Sequence, residues 1–283
     1  MNNYSAPTSS LPPTDLASAL SGSAVTSRTI AVTGGQGIGK THFVANVALE
    51  LALRRRGITV VNIENGSVTS NTLLEAGPTY NLSHVLIGAC QLNEIMTTTP
   101  QGIRLISASR GMSEFGLIGT THQVLTELEQ VEQNSFFTLI DTPAGCNEQT
   151  LRVLGAASEV VLLTAPDPPA IVEAYGMIKA IHRHSPTKLI WIVVNSILSI
   201  RDGEEIFRQL NSSAVRFLNH PLEYLGAIPD DEFLAKAADA QKPVVWYAPG
   251  RPASRSFRVI ASQLFAARHP SLIQASSFWK SLV

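Results

Sequence analysis

Short, nearly continuous apolar runs recur along this chain, and between them lie stretches with helical spacing. The runs cover residues 28–33, 58–63, 103–108, 136–141, 159–165, 188–195 and 223–228. A strand with one wet face alternates apolar and polar residues. These do not, so each is expected to be covered on both faces, as in a parallel sheet. The helical stretches cover 42–56, 170–184, 203–218 and 253–268. Gly57 suits the left-handed turn that stops the first, and Pro186, Pro221 and Pro270 stop the others. Strand and helix in alternation build βαβ units. The expected fold is therefore α/β: a doubly wound, mostly parallel sheet with helices on both faces. No repeat or shift in composition divides residues 28–268, which read as one domain.

With 283 residues, 45% of them hydrophobic and 15% charged, the chain is long enough to bury a sizeable core. The net charge of −1 leaves no broadly basic surface, so no specific nucleic-acid partner is expected. Arg54, Arg55 and Arg56, and the set Arg251, Arg255 and Arg258, read as solvated helix faces. Cys90 and Cys146 are too few for a disulfide framework and read as buried free thiols in a reducing compartment. Residues 1–27 are rich in Ser, Thr and Pro and read as a flexible arm. They hold no Lys or Arg, unlike the cationic start of a secretory leader. The longest apolar runs are strand-length, too short to span a bilayer, and a cytoplasmic location is expected.

Gly34-Gly35-Gln36-Gly37-Ile38-Gly39-Lys40-Thr41 matches G-x-x-x-x-G-K-[ST] in full. It follows the first apolar run and opens a helix, the context that gives the motif meaning. Glycines let successive N–H groups turn inward toward phosphate oxygens, and the helix N-terminus adds partial positive charge. Lys40 is placed to reach the β- and γ-phosphates and the Thr41 hydroxyl to hold Mg²⁺. A site of this kind also needs an acid at the end of a buried strand, facing the metal. Phe136-Phe137-Thr138-Leu139-Ile140-Asp141 supplies it, and Gly145 lets the following segment approach the γ-phosphate.

At these residues the chain resembles the MinD/ParA group of P-loop ATPases, and within it the flagellar-number regulators FlhG and FleN. The resemblance runs from about Thr29 to the C-terminus. It is carried further by Asn81-Leu82-Ser83-His84-Val85-Leu86-Ile87-Gly88, by Ile103-Arg104-Leu105-Ile106-Ser107 and by Ala174-Tyr175-Gly176-Met177. Its most telling block is Tyr224-Leu225-Gly226-Ala227-Ile228-Pro229-Asp230-Asp231-Glu232, followed by a helix over Lys236 to Pro243. The resemblance implies ATP and Mg²⁺ as cofactors. It also implies a nucleotide set of Gly34, Gly35, Gln36, Gly37, Ile38, Gly39, Lys40, Thr41 and His42, with Asn195 on the adenine and Pro229 and Asp230 in the loop over the base. Thr41 and Asp141 are the implied metal residues, and Lys40 and Glu64 the implied catalytic ones. The implied partners are a flagellar transcription activator of the sigma-54-dependent kind, a signal-recognition-type flagellar GTPase and a second copy bound in an ATP-dependent way.

Departures from the group's pattern set the functional expectation. The group carries an extra lysine early in the loop that reaches the partner subunit's nucleotide. The equivalent position here is Gly35 or Gln36, depending on where one residue is deleted. The group ends its second strand with Asp-x-Asp, whereas this chain reads Asn62-Ile63-Glu64. A displaced carboxylate positions the attacking water badly, at a cost of about a hundredfold or more. Binding is therefore expected to outlast turnover, giving a switch with weak or absent hydrolysis. Two rivals stand beside it. One is a cargo- or septum-positioning ATPase, disfavoured by the missing lysine; the other is a nucleotide-free interaction protein, disfavoured by the intact loop.

The ends add less. The Asp-Gln-Ala…Arg pattern by which relatives stimulate the GTPase is absent from residues 1–27. In the tail, residues 269–283, Leu272, Ile273, Phe278, Trp279, Leu282 and Val283 suit one face of a short amphipathic helix. That helix either docks on the inner membrane, at the surface or the cell pole, or packs on its own domain; the spacing leaves both open. His182 and His184 sit two apart, on different faces of a helix end, and read as solvated rather than metal-binding.

Overall fold

The computed structural model describes residues 27–54, 57–63, 69–75, 79–108, 122–267 and 277–283. Expectations for the arm over 1–26, for Arg55, Arg56 and Glu64, and for Leu272 and Ile273 fall outside them. In chain order the elements are β1 (Arg28–Gly34), α1 (Lys40–Ala52), β2 (Ile58–Asn62), α2 (Ser70–Leu73), α3 (Leu82–Leu86), β3 (Met96–Thr98), β4 (Ile103–Ser107), α4 (His122–Gln133), β5 (Phe137–Asp141) and α5 (Glu148–Ala156). There follow β6 (Glu159–Thr164), α6 (Pro168–His184), β7 (Leu189–Ile197), α7 (Ile200–Leu218), β8 (Glu223–Pro229), α8 (Glu232–Asp239), α9 (Val244–Tyr247), α10 (Pro252–Ala266) and α11 (Phe278–Leu282).

The sheet has eight strands in the order β3-β4-β2-β5-β1-β6-β7-β8. Each apolar run became a strand, and all pairings are parallel except β3 with β4. Reading the sequence missed β3, since Met96-Thr97-Thr98 is a half-exposed edge with no apolar run to betray it. The two-faced burial is visible along β1. Ala31 joins a core with α4, α5, α6, α7 and α11, whereas Ile30 and Val32 join one with α1, α2, α9 and α10.

Helix boundaries depart from expectation for local reasons. α1 ends at Ala52 rather than at residue 56. α6 starts at Pro168, not 170, because prolines at the first helical positions lack an N–H that would go unbonded there anyway. Asp167 caps it by accepting from Ala170 N at 3.2 Å. α7 starts at Ile200, not 203, behind a capping box from Ser199 and Asp202. Pro243 does not lie in one long helix with Lys236: α8 ends at Asp239, and Pro243 caps α9. Cys90 and Cys146 are free but only partly buried.

A buried ion pair ties the starts of β1 and β6, at the end of the sheet away from the phosphate loop. Arg28 Nε meets Glu159 Oε1 at 2.7 Å, and Nη2 meets Oε2 at 2.7 Å. Arg28 also donates to the Leu264 carbonyl, and Trp191 Nε1 donates to Glu159 at 2.7 Å. Nearby, Lys188 donates to the Gly155 and Ala157 carbonyls. Burial holds its ammonium at about 8, although Glu159 pulls the other way.

The chain's end follows the second of the two outcomes left open for it. Phe278, Trp279 and Leu282 are buried in the core, and α11 packs on α4 and α5. The Glu132 carboxylate accepts from Phe278 N at 3.0 Å and from Ser277 Oγ at 2.8 Å. Arg152 donates to the Leu282 carbonyl at 2.6 Å. His182 is likewise not simply solvated, because its Nδ1 lies 3.3 Å from Nδ1 of the buried His220. His220 Nδ1 also donates to the Pro186 carbonyl at 3.0 Å. His184 is exposed, as expected.

Removing one member of a buried ion pair strands the other. Arg28→Ala should therefore cost about 3–5 kcal/mol in urea unfolding, and Arg28→Met with Glu159→Leu should recover most of it. Burial lowers the pKa of His220 below 6.5, so the unfolded chain takes up the proton more readily. The stability this group contributes is present above its ordinary value and is lost as pH falls below it. The drop in urea midpoint between about pH 7.5 and about pH 5.5 should be smaller in His220→Gln.

Candidate phosphate-binding site

Parallel pairing places the site. β1 lies between β5 and β6, with Val32 beside Asp141 and Gly34 beside Leu163, so the loop leaving β1 opens over the ends of both neighbours. Gly37 and Gly39 have φ of 71° and 92°, left-handed values that a side chain would resist. Space beside Gly37 is open, with no atom of the described residues within 4 Å of where a Cβ would stand. Among the described residues no side chain caps the start of α1, which leaves its first N–H groups directed at the loop. Lys40 is buried, and its Nζ reaches back to donate to Gly35 O at 3.0 Å. Thr41 and His42 follow in the first turn, half-buried; burial lowers the pKa of His42.

Asp141 forms the floor. It is wholly buried between Val32 of β1 and Asn62 of β2. Asn62 Oδ1, buried in the same row, has no hydrogen-bond partner among the described residues, so the floor holds a polar atom that an ion or its waters would satisfy. A hydroxyl and a carboxylate beside phosphate oxygens suit Mg²⁺, which keeps several waters and needs few protein ligands. After Asp141, Thr142 Oγ1 donates to Val32 O at 2.8 Å, and Gly145 N approaches Gly34 O at 3.4 Å. The chain past the acid is thus laid against the loop.

The residues implied for the base also come together. Asn195, near the end of β7, donates from Nδ2 to Ile38 O at 3.0 Å, and its buried Oδ1 has no donor among the described residues. Pro229 pairs with Ile197, and Asp230 N donates to Ile197 O at 2.9 Å. Glu64 lies outside the described residues.

Beside the loop is a cavity of ≈ 470 Å³, walled by residues 35–38, the end of β6, the start of α6 and Asn195 with Ser196. It holds Asp167 and Glu173, neither of which sequence reasoning singled out. Asp167 also caps α6. Glu173 stands far from the loop in sequence and carries no local signal at all. Its carboxylate overlies Gly35 so closely that a Cβ there would meet Oε2 at 2.3 Å.

A doubly wound sheet with this loop at the end of its central strand and a buried acid beneath defines a P-loop nucleotide-binding fold of the MinD/ParA type. Solved structures agree in fold. The MinD cell division protein of Aquifex aeolicus superposes with a TM-score of 0.66 at 19% identity, over 86% of this chain and 98% of that one. MinD of Pyrococcus horikoshii, solved with Mg-ADP, gives 0.67 at 20% identity, over 84% and 96%. No family model matches the chain. The antiactivator FleN of Pseudomonas aeruginosa is 32% identical over 238 residues, 83% of this chain and 85% of that protein. The flagellum site-determining protein YlxH of Helicobacter pylori is 26% identical over 263 residues, covering 90% and 89%. The chain belongs to the FlhG/FleN branch of the MinD/ParA-type P-loop ATPases.

If Asp141 anchors the metal, Asp141→Asn keeps the shape and removes the charge. Adding Mg²⁺ should then tighten binding of a fluorescent ATP analogue by less than about twofold, against about tenfold or more in the wild type, read by titration with and without the ion.

Proposed function

We propose that this protein is an ATP-dependent regulatory switch for flagellar number, in which binding of the nucleotide outlasts its hydrolysis. The observation that carries the reading is the contrast within one site. The binding parts are assembled: the open loop at Gly37, Lys40 folded over it, Thr41 at the helix start and Asp141 beneath. The parts serving turnover are changed, with Asn62 neutral beside Asp141 and no lysine at Gly35 or Gln36. Loop N–H groups and Lys40 would hold the β- and γ-phosphates, and Thr41 and Asp141 the magnesium, which neutralises charge on the phosphates. Asn195 Oδ1, buried and without a donor among the described residues, offers an acceptor to the exocyclic amine of adenine.

Nucleotide binding would act on surfaces built from the same strands. The segment over Thr142 to Gly145 already leans on Gly34, so a γ-phosphate there would bias its position and that of α5 behind it. One relative is described as an antiactivator and another as a flagellum site-determining protein. By that analogy the surface is read by a flagellar transcription activator of the sigma-54-dependent kind. Action with a signal-recognition-type flagellar GTPase and pairing with a second copy on ATP belong to the same reading. No helix among the described residues is long and apolar enough to cross a membrane. The reading places the protein in the cytoplasm; membrane contact through α11 would require Phe278, Trp279 and Leu282 to leave the core.

Calorimetric titration of ATP with Mg²⁺ should show binding to the wild type and about a hundredfold weaker or no binding to Lys40→Ala. Turnover should stay at least about a hundredfold below that of MinD-type enzymes that keep Asp-x-Asp and the loop lysine. Turnover equal to theirs would overturn the proposal.

A further inference from the structure

α9 is a single turn of helix, too short to persist alone, yet it presents two large aromatic side chains to solvent. Trp246 is 46% exposed and Tyr247 44%. The residue at its N-cap is Pro243, whose ring offers no side-chain acceptor to the opening N–H groups. The acceptor for Val245 N comes instead from another helix: it is Asn46 Oδ1, at 3.0 Å. Asn46 lies on α1, is wholly buried, and donates from Nδ2 to the His42 carbonyl at 2.7 Å. One amide therefore joins the first turn of α1, which faces the phosphate loop, to the first turn of α9. Leucine would fill a similar volume at a lower desolvation cost, so filling space does not account for an asparagine here.

The other end of α9 is tied as well. Ser254 Oγ, on buried Ser254 of α10, donates to the Val244 and Ala248 carbonyls at 3.0 and 2.8 Å. The start of α10 is in turn fixed by Asp231, whose Oδ2 accepts from Ala253 N at 3.3 Å while its Oδ1 accepts from Phe233 N at 3.0 Å. Asp231 directly follows Asp230, in the segment that the nucleotide reading lays over the base. α9 is thus held on one side by the helix rising from the phosphate loop and on the other by residues anchored to the base segment.

We propose that Asn46 is a positioning residue that transmits phosphate occupancy from α1 to α9, so that ATP changes the exposure of Trp246 and Tyr247. This rests on the nucleotide reading above and deepens it, by assigning a nucleotide-sensitive surface to α9 as well as to the segment after Asp141. A triphosphate seated on the first N–H groups of α1 draws that helix toward the loop. Asn46 moves with its helix, and Val245 N must follow or lose its acceptor, which is costly for a buried donor. Close-packed side chains pass such a shift on instead of absorbing it. A helix of four residues then reorients as a unit.

The chain supplies its own probe. Of its three tryptophans Trp246 is the exposed one, Trp279 being buried and Trp191 partly so. Acrylamide quenching of tryptophan emission from the full chain, with and without ATP and Mg²⁺, reads the change, and calorimetry reads affinity on the same samples. ATP should alter the wild-type quenching constant by about 1.5-fold or more, and Trp246→Phe should abolish the effect. Asn46→Leu removes both hydrogen bonds at nearly constant volume. Asn46→Ser keeps a bond back to the His42 carbonyl but is too short to reach Val245. Both should bind ATP within about threefold of the wild type and lose the quenching change. Ser254→Ala frees the far end of α9, leaves its tie to α1, and should keep the change. A change kept by either Asn46 variant, or no change in a wild type that binds ATP, would overturn the proposal while leaving nucleotide binding in place. Loss in Ser254→Ala as complete as in the Asn46 variants would also overturn it, since any loosening of α9 would then suffice. So would loss of ATP binding in both Asn46 variants with urea midpoints of a folded chain, which would make Asn46 part of the binding site. A wild type with no affinity for ATP removes the nucleotide reading and this inference with it.

Discussion

The parallel pairing of β1 with β5 on one side and β6 on the other is the constraint from which the site follows. Hydrogen bonds along those registers put Val32, Asp141 and Asn62 in one row and Gly34 beside Leu163. A loop leaving β1 has only one place to go, above the ends of its neighbours, with α1 rising from its far side. The acid comes to lie under the loop because strands of equal register end at the same height. Ligand crevices in open α/β sheets sit at these carboxyl ends for the same reason. A slip of one residue in β5 would turn Asp141 to the opposite face of the sheet.

Charge is used sparingly around that crevice. Within the loop and its floor the described charges are Lys40 and Asp141, both buried, with Asn62 contributing a neutral amide where a second acid would change the balance. The far end of the sheet is different, for there Arg28 and Glu159 are sealed in with bidentate geometry, the Leu264 carbonyl accepting from Arg28 and Trp191 donating to Glu159. Such a pair stabilises little relative to an apolar core, but it specifies which strands meet, since either charge alone in that setting is costly. The two ends of the sheet are thus organised by opposite means, a fixed ion pair at one and unsatisfied polar atoms at the other.

The C-terminal helix shows how the segments behind the site are joined. α11 is too short to be stable alone. It exists because Glu132 of α4 receives its first N–H and because Phe278 and Trp279 fill the core between α4 and α5. α5 follows directly on the segment that leans against the loop. Movement of that segment would therefore be felt at the end of the chain, through packed side chains rather than through a flexible link.

The two-faced burial of the strands, the loop and Asp141 were legible in the sequence because each depends on neighbours within a few residues: an unbroken apolar run, glycines at set spacing, an acid closing a strand. β3 was not, since three polar-edged residues form a strand only when β4 is there to pair with. The start of α6 was placed two residues late, at 170, because the start at Pro168 depends on the Asp167 cap. The tail pattern fitted either a membrane or a core until α4 and α5 were found covering it. The recess was invisible, because Glu173 meets Gly35 only through the crossover that brings α6 across β6 to the mouth of the loop. Sequence alone determined the chemistry of short segments and hence the class of fold. Tertiary structure decided which distant charges share a space, because the strand order that brings them together is set by packing of the whole sheet and leaves no mark in any local stretch of chain.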